Sequence, residues 1–231
     1  MFKKGFYDHF NELNRRIIFS LTIFFIFSLI VYLNYKQVYK LLIDPLLKAG
    51  YLESDLVAFT IYEGFQVKIF NTLLVSFILS FPFLLLIIGL FIKPALEKTS
   101  NVTFYLYLFT FLLLFYVGLY ASYKTLPFGI NFLLSFNESN VILRTQNYFQ
   151  LISRVALLFG ISFQSPLIIY FLIKKKIIKV TLFTSNRKEL FIIIVIISAI
   201  ITPTGDPITL FIFAIPMYLL IEIVLYLNKE T

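Results

Sequence analysis

Six apolar runs separated by polar segments make up the pattern of this 231-residue chain. They cover about residues 17–33, 69–92, 103–123, 151–173, 190–201 and 208–227. A helix of about 20 residues rises about 30 Å, which matches the hydrocarbon core of a bilayer. The pattern therefore predicts an all-α polytopic membrane protein with six transmembrane helices. The fifth run is too short for a full crossing, which predicts a short hairpin for the last two helices.

Three polar segments lie between or before these runs. Residues 1–16 carry Phe6, Phe10 and Leu13 at helical spacing, which predicts an amphipathic helix on the membrane surface. Residues 34–68 and 125–150 are too polar to span, and they predict two long external loops that contain Pro45 and Pro127. Apolar residues within the first of these segments imply a packed cap or surface helices.

Basic residues are distributed unevenly between the two sides of this layout. With both termini cytoplasmic, thirteen of the 20 Lys and Arg residues fall in inner segments, and six fall in external ones. Lys174, Lys175 and Lys176 close the fourth run, and clustered ammonium groups stay on the cytoplasmic side. The charge distribution therefore predicts that both termini are cytoplasmic.

Composition narrows the function classes. With 60% hydrophobic residues and a mean hydropathy of +0.91, the chain is expected to be a single integral membrane domain over residues 1–231. Cysteine is absent and His9 is the only histidine, so thiolate and multi-histidine metal sites are excluded. We expect that the protein is not an enzyme and that it has no cofactor and no nucleic-acid partner.

Two polar residues interrupt the apolar runs. Gln164 precedes Pro166, which leaves the carbonyl of Ser162 without its helical donor. The amide is interpreted either as a bond between two helices at a kink or as a contact for a partner or substrate segment. Glu222 lies in the last run and is either a functional intramembrane carboxylate or a group that reaches the inner interface.

Charged residues near the inner surface have two interpretations each. Glu12, Arg15 and Arg16 are either membrane anchors with a Glu12–Arg16 pair one turn apart, or a docking site for a charged peptide. Glu97 follows Pro94 in the inner loop and is either a solvated charge or a carboxylate for an arginine-bearing ligand.

Two further acidic residues lie beside turns or interfaces. Glu63, at the entry to the second run, is interpreted as part of an interfacial salt bridge. Asp206 stands between Pro203 and Pro207, a pattern that is typical of a turn.

Five segments together resemble the TatC family of the twin-arginine protein translocase. They are HFNELNRR (9–16), IYEGF (61–65), KPAL (93–96), GISFQSP (160–166) and TPTGDPITLFIFAIPMYLLIE (202–222), the last of which includes Pro203, Asp206 and Pro216. The resemblance implies a subunit that recognises twin-arginine signal peptides and moves folded proteins with the proton-motive force. It also implies single-span partners of the TatA and TatB type and self-association in the lipid bilayer. The expected location is a bacterial plasma membrane, with a thylakoid or mitochondrial inner membrane as the alternative.

The resemblance assigns roles to particular residues. Glu12, Arg15, Arg16 and Glu97 are expected to bind the signal peptide, and Gln164 and Glu222 to contact partners. Three departures accompany it: Asn14 replaces an arginine, Ser100 replaces an acidic residue whose role passes to Glu97, and Gln164 replaces a glutamate. The alternative function is a small-solute transporter or channel, which would line its path with membrane-embedded polar groups such as Gln164 and Glu222.

Overall fold

The computed structural model describes residues 6–96, 100–136, 142–174, 176–201 and 207–228. These residues form nine α-helices and one pair of short parallel strands, in which Leu56 of β1 lies opposite Leu143 of β2. In chain order the elements are α1 (Phe6–Leu33), α2 (Tyr35–Lys48), β1 (Leu56–Val57), α3 (Glu63–Ile92), α4 (Asn101–Ser135), β2 (Leu143–Arg144), α5 (Thr145–Ser162), α6 (Ser165–Lys174), α7 (Val180–Ser185), α8 (Arg187–Ile201) and α9 (Pro207–Leu227).

Four stretches of helix in the described residues are long and apolar enough to cross a membrane. They are Phe10–Leu33, Glu63–Ile92, Asn101–Ser135 and Thr145–Lys174. Two shorter helices, α8 and α9, match the last two apolar runs of the sequence. The predicted all-α polytopic fold class is therefore confirmed.

Helix ends differ from the ends of the apolar runs. The chain from Phe6 to Leu33 is one continuous helix, because no Gly or Pro interrupts it, rather than a surface helix followed by a span. Similarly, α3 begins at Glu63, before the apolar run, and α4 continues through Pro127 to Ser135. Membrane helices tolerate proline because neighbouring groups can satisfy the freed carbonyl.

The fourth run is divided where the sequence places its polar step. Helix α5 ends at Ser162, and α6 begins at Ser165, directly before Pro166. Proline has no N–H to continue the ladder but suits the first turn of a new helix. Inside the expected inner loop, residues 180–185 form the short helix α7.

The chain divides into two compact units. The first contains residues 1–41 and 60–112, and the second contains residues 42–59 and 113–231. In the first unit, α1 packs along α3, with the rings of Phe27 and Phe83 5.6 Å apart. At the C-terminal end of α1, Lys68 of α3 lies 4.0 Å from the Tyr32 ring, and Asn71 donates to the Tyr35 hydroxyl at 3.3 Å.

The second unit is built around the division between α5 and α6. Phe159 and Phe163 pack against Phe213 of α9, with ring centroids 4.4 and 5.8 Å from that ring. Gly118 of α4 lies directly against the backbone of α5, where an added Cβ would meet the Phe159 carbonyl oxygen at 2.7 Å. These contacts fix the position of the helix end that precedes Gln164.

Candidate functional site

Glu12 and Arg16 form an ion pair on α1. The Nε and Nη2 of Arg16 donate to Oε1 of Glu12 at 3.2 and 2.6 Å. One helical turn separates the two residues, which places their side chains on the same face. Both are partly buried, with 27% of the Arg16 side chain and 25% of the Glu12 side chain exposed.

Arg16 also bonds to the neighbouring helix. Its Nη1 donates to the Ile87 carbonyl of α3 at 3.0 Å, and its guanidinium carbon lies 5.8 Å from the centre of the Phe91 ring. Arg15, the adjacent residue, is exposed. The two arginines that the sequence grouped together therefore occupy different environments.

The structure leaves the second predicted carboxylate of this site undescribed. Glu97 lies outside the described residues, as do Pro203 and Asp206. Pro94 stands in a short 3₁₀ turn after α3, where Lys93 lies 5.4 Å from the Phe104 ring and 5.3 Å from the Tyr105 ring. That Glu12 and Glu97 act together stays a prediction.

Gln164 lies buried between α5 and α6, with 5% of the residue exposed. Its Nε2 donates to the Gly160 carbonyl at 3.3 Å, one turn earlier in the chain. The backbone continues across the division through the bond from Ile168 N to the Gln164 carbonyl at 3.1 Å. The amide therefore stabilises the end of α5 next to the division, and both interpretations of Gln164 stay predictions.

Glu222 has a basic partner that was not predicted from the sequence. Nη1 of Arg187, the first residue of α8, lies 2.6 Å from Oε1 of Glu222 on α9. Oε2 of Glu222 is buried and accepts no hydrogen bond from the part of the chain that the structure describes. The antiparallel hairpin of α8 and α9 brings these residues together, so their separation along the sequence concealed the pair.

A second polar cluster lies between α2 and α4. Tyr123 donates its hydroxyl proton to Oδ2 of Asp44 at 2.6 Å, and Lys48 forms an ion pair with the same oxygen. The hydrogen bond from Lys48, followed by that from Tyr123, holds the pKa of Asp44 below its ordinary value of 3.8. Nearby, the Tyr148 hydroxyl donates to the Leu42 carbonyl at 2.9 Å, which fastens α5 to α2.

The remaining predicted positions have mainly structural surroundings. Glu63, expected in an interfacial salt bridge, is fully buried at the start of α3. Pro45, Pro127 and Pro216 lie inside α2, α4 and α9, and Pro166 is the second residue of α6. Among the residues described, no group of three His, Cys, Asp or Glu side chains is arranged to hold a metal ion.

Comparison with known proteins gives concordant results. A family model described as Sec-independent protein translocase protein (TatC) matches residues 8–216. The protein of that name from Aquifex aeolicus is 34% identical, over 96% of this chain and 93% of its own length. The corresponding Rickettsia prowazekii protein is 32% identical, over 94% of this chain and 90% of its own.

A solved structure also matches over nearly the whole length. The crystal structure of the twin arginine translocase receptor TatC in DDM superposes with a TM-score of 0.75 at 32% identity. The match covers 96% of this chain and 99% of that one. The likeness therefore extends over nearly the whole chain.

Proposed function

This chain belongs to the TatC family of the Sec-independent protein translocase, and we propose that its α1 site recognises the paired arginines of twin-arginine signal peptides. It is a multi-pass membrane protein and a translocase subunit rather than a member of a known enzyme family. The family assignment favours this function over the small-solute transporter.

The observation that carries the proposal is the partly buried carboxylate of Glu12, which lies within the matched residues 8–216. A carboxylate accepts a guanidinium through two parallel charge-assisted hydrogen bonds, which is the geometry that selects arginine over lysine. Partial burial strengthens such bonds because less water competes for the charge. Glu12 is therefore suited to read one of two adjacent arginines.

Local charge explains why a second carboxylate is needed. Glu12, Arg15 and Arg16 together carry one net positive charge, which repels an arginine-bearing peptide. We propose that Glu97 supplies the compensating carboxylate, in place of the family's acidic residue at the position of Ser100. Arg15, being exposed, then affects the approach of the peptide rather than its final contacts.

The proposed partner contacts lie in the second unit. We propose that Gln164 and Glu222 contact transmembrane segments of TatA- and TatB-like single-span subunits. Support comes from the buried amide at the division of the fourth span and from the buried carboxylate oxygen on α9. The proposed setting is a bacterial plasma membrane in which the chain also self-associates, and the proposed energy source is the proton-motive force.

The test is photo-crosslinking in a bacterial host that lacks its own TatC. A signal peptide carries a photoreactive residue next to its arginine pair, and crosslinking to the chain is measured for Glu12→Gln and Glu97→Gln. Each change removes a charge-assisted pair of about 1.5–3 kcal/mol, so crosslinking at limiting peptide should fall about tenfold or more. Glu53→Gln, which changes an exposed acid in a 3₁₀ turn after α2, is the matched control. Native crosslinking by Glu12→Gln would refute the proposed site.

A further inference from the structure

Arg16 contacts Glu12 with two nitrogens and α3 with a third. Two donors converge on one carboxylate oxygen, and the third reaches the Ile87 carbonyl, while the guanidinium lies near the Phe91 ring. A planar guanidinium holds its donors in fixed directions, so binding to α3 also fixes the direction of the bonds to Glu12. The carboxylate is thereby held from outside its own helix.

We propose that Arg16 is a positioning residue, which orients the Glu12 carboxylate for the signal peptide and does not itself bind the peptide. This inference rests on the proposed function of Glu12. Both bonds from Arg16 to the Glu12 carboxylate are accepted by the same oxygen, Oε1. Bidentate recognition of a second guanidinium depends on the orientation of the carboxylate plane, which Arg16 determines.

The charge of Arg16 alone and the positioning proposal predict opposite changes in peptide affinity when Arg16 is removed, so the direction of the change tests the proposal. Arg16 is a cation, so its removal should attract an arginine-bearing peptide more strongly if charge were its only contribution. Under the positioning proposal, removing Arg16 weakens binding even though the site becomes more negative. Arg15 supplies the charge-matched comparison, because it is exposed while Arg16 is anchored.

The experiment measures the Kd of a fluorescent synthetic twin-arginine signal peptide for the full-length chain in lipid nanodiscs. The variants are Arg16→Gln, Arg16→Lys, Arg15→Gln, Glu12→Gln and the double change of Glu12 and Arg16 to Gln. Arg16→Gln should weaken binding about tenfold, by analogy with the outer partners that orient metal ligands, whose loss costs about 10–100-fold in affinity. Arg15→Gln should tighten binding. Arg16→Lys should recover part of the loss, since its ammonium can still donate to Glu12 but lacks the fork that also reaches Ile87.

Three outcomes decide the matter. If Arg16→Gln tightens binding as Arg15→Gln does, Arg16 acts only through its charge and the inference is wrong. If Arg16→Gln weakens binding by the same factor when Glu12 is already Gln, Arg16 acts independently of Glu12 and the inference is again wrong. If Glu12→Gln itself binds normally, the proposed function fails first. Thermal melting of each variant identifies losses that arise from unfolding, and Arg16→Lys then gives the decisive comparison.

Discussion

Replacing Gly118 by alanine should destabilise the protein more than the same change at Gly89 or Gly160, where the added Cβ would meet side-chain atoms. The new Cβ would lie 2.7 Å from the Phe159 carbonyl oxygen and 3.1 Å from the Gly160 Cα. Both are backbone atoms of α5, so no side-chain rotation relieves the contact. Helices α4 and α5 would have to separate by about 0.7 Å to restore an ordinary contact distance of 3.4 Å.

Two opposing effects determine the size of the loss. Overpacking a well-packed core costs about 1–3 kcal/mol, and a contact between backbones belongs at the upper end of that range. Alanine recovers about 1 kcal/mol of helix propensity over glycine. The net loss is about 2 kcal/mol, which for a chain of this length lowers the melting temperature by about 4–8 °C.

The assay is thermal melting of the purified protein in one detergent at one scan rate, because membrane proteins often unfold irreversibly. Gly64→Ala is the matched control, since an added Cβ there meets nothing within 4 Å. Its melting temperature should equal or exceed that of the native chain. A Gly118→Ala protein that melts no lower than the native chain would refute the argument that backbone contact limits this position.

Three further predictions concern the polar clusters. Because Lys48 and Tyr123 hold the pKa of Asp44 below 3.8, the stability from this cluster is present above that pH and is lost as the pH falls through the folded-state pKa. The melting temperature of the native protein should therefore fall more between about pH 5 and pH 3 than that of Asp44→Asn. Equal falls would contradict the role given to Asp44. A double-mutant cycle of Arg187→Met and Glu222→Gln, read by melting, should give a coupling of about 0.5–1 kcal/mol, whereas additive effects would show that the pair contributes nothing. Gln164→Leu should reduce crosslinking to a TatA-like partner about threefold or more, and native crosslinking with native transport would leave Gln164 a purely structural residue.

The fold class was predictable because each long apolar run can be stable only in lipid or in a protein core. Hydrophobic length alone locates α1 and α3, and Pro166 locates the division between α5 and α6. Helix ends were less predictable because charged and polar residues can remain helical outside the apolar run. Lys68, for example, lies within α3 just before the apolar run, 4.0 Å from the Tyr32 ring.

The candidate site was predictable only where its residues are neighbours on one helix. Glu12 and Arg16 are a turn apart, so their pairing follows from helical spacing. The bond from Arg16 to Ile87 and the pair of Arg187 with Glu222 depend on which helices pack together. Hydropathy contains no information about that choice, because lipid-facing and protein-facing leucines look alike in the sequence.

The unequal burial of the spans bears on how the chain is made. Only 6% of the most apolar stretch of Phe10–Leu33 is buried by protein, against 39% for Thr145–Lys174. The first helix obtains its apolar surroundings from lipid, so we expect it to enter the bilayer as soon as it leaves the ribosome. The fourth span, with Gln164 in its middle, needs α4 and α9 around it, and α9 is synthesised after it. Chains arrested before α9 should therefore hold the first span in the membrane, protected from protease, while the fourth remains open to it.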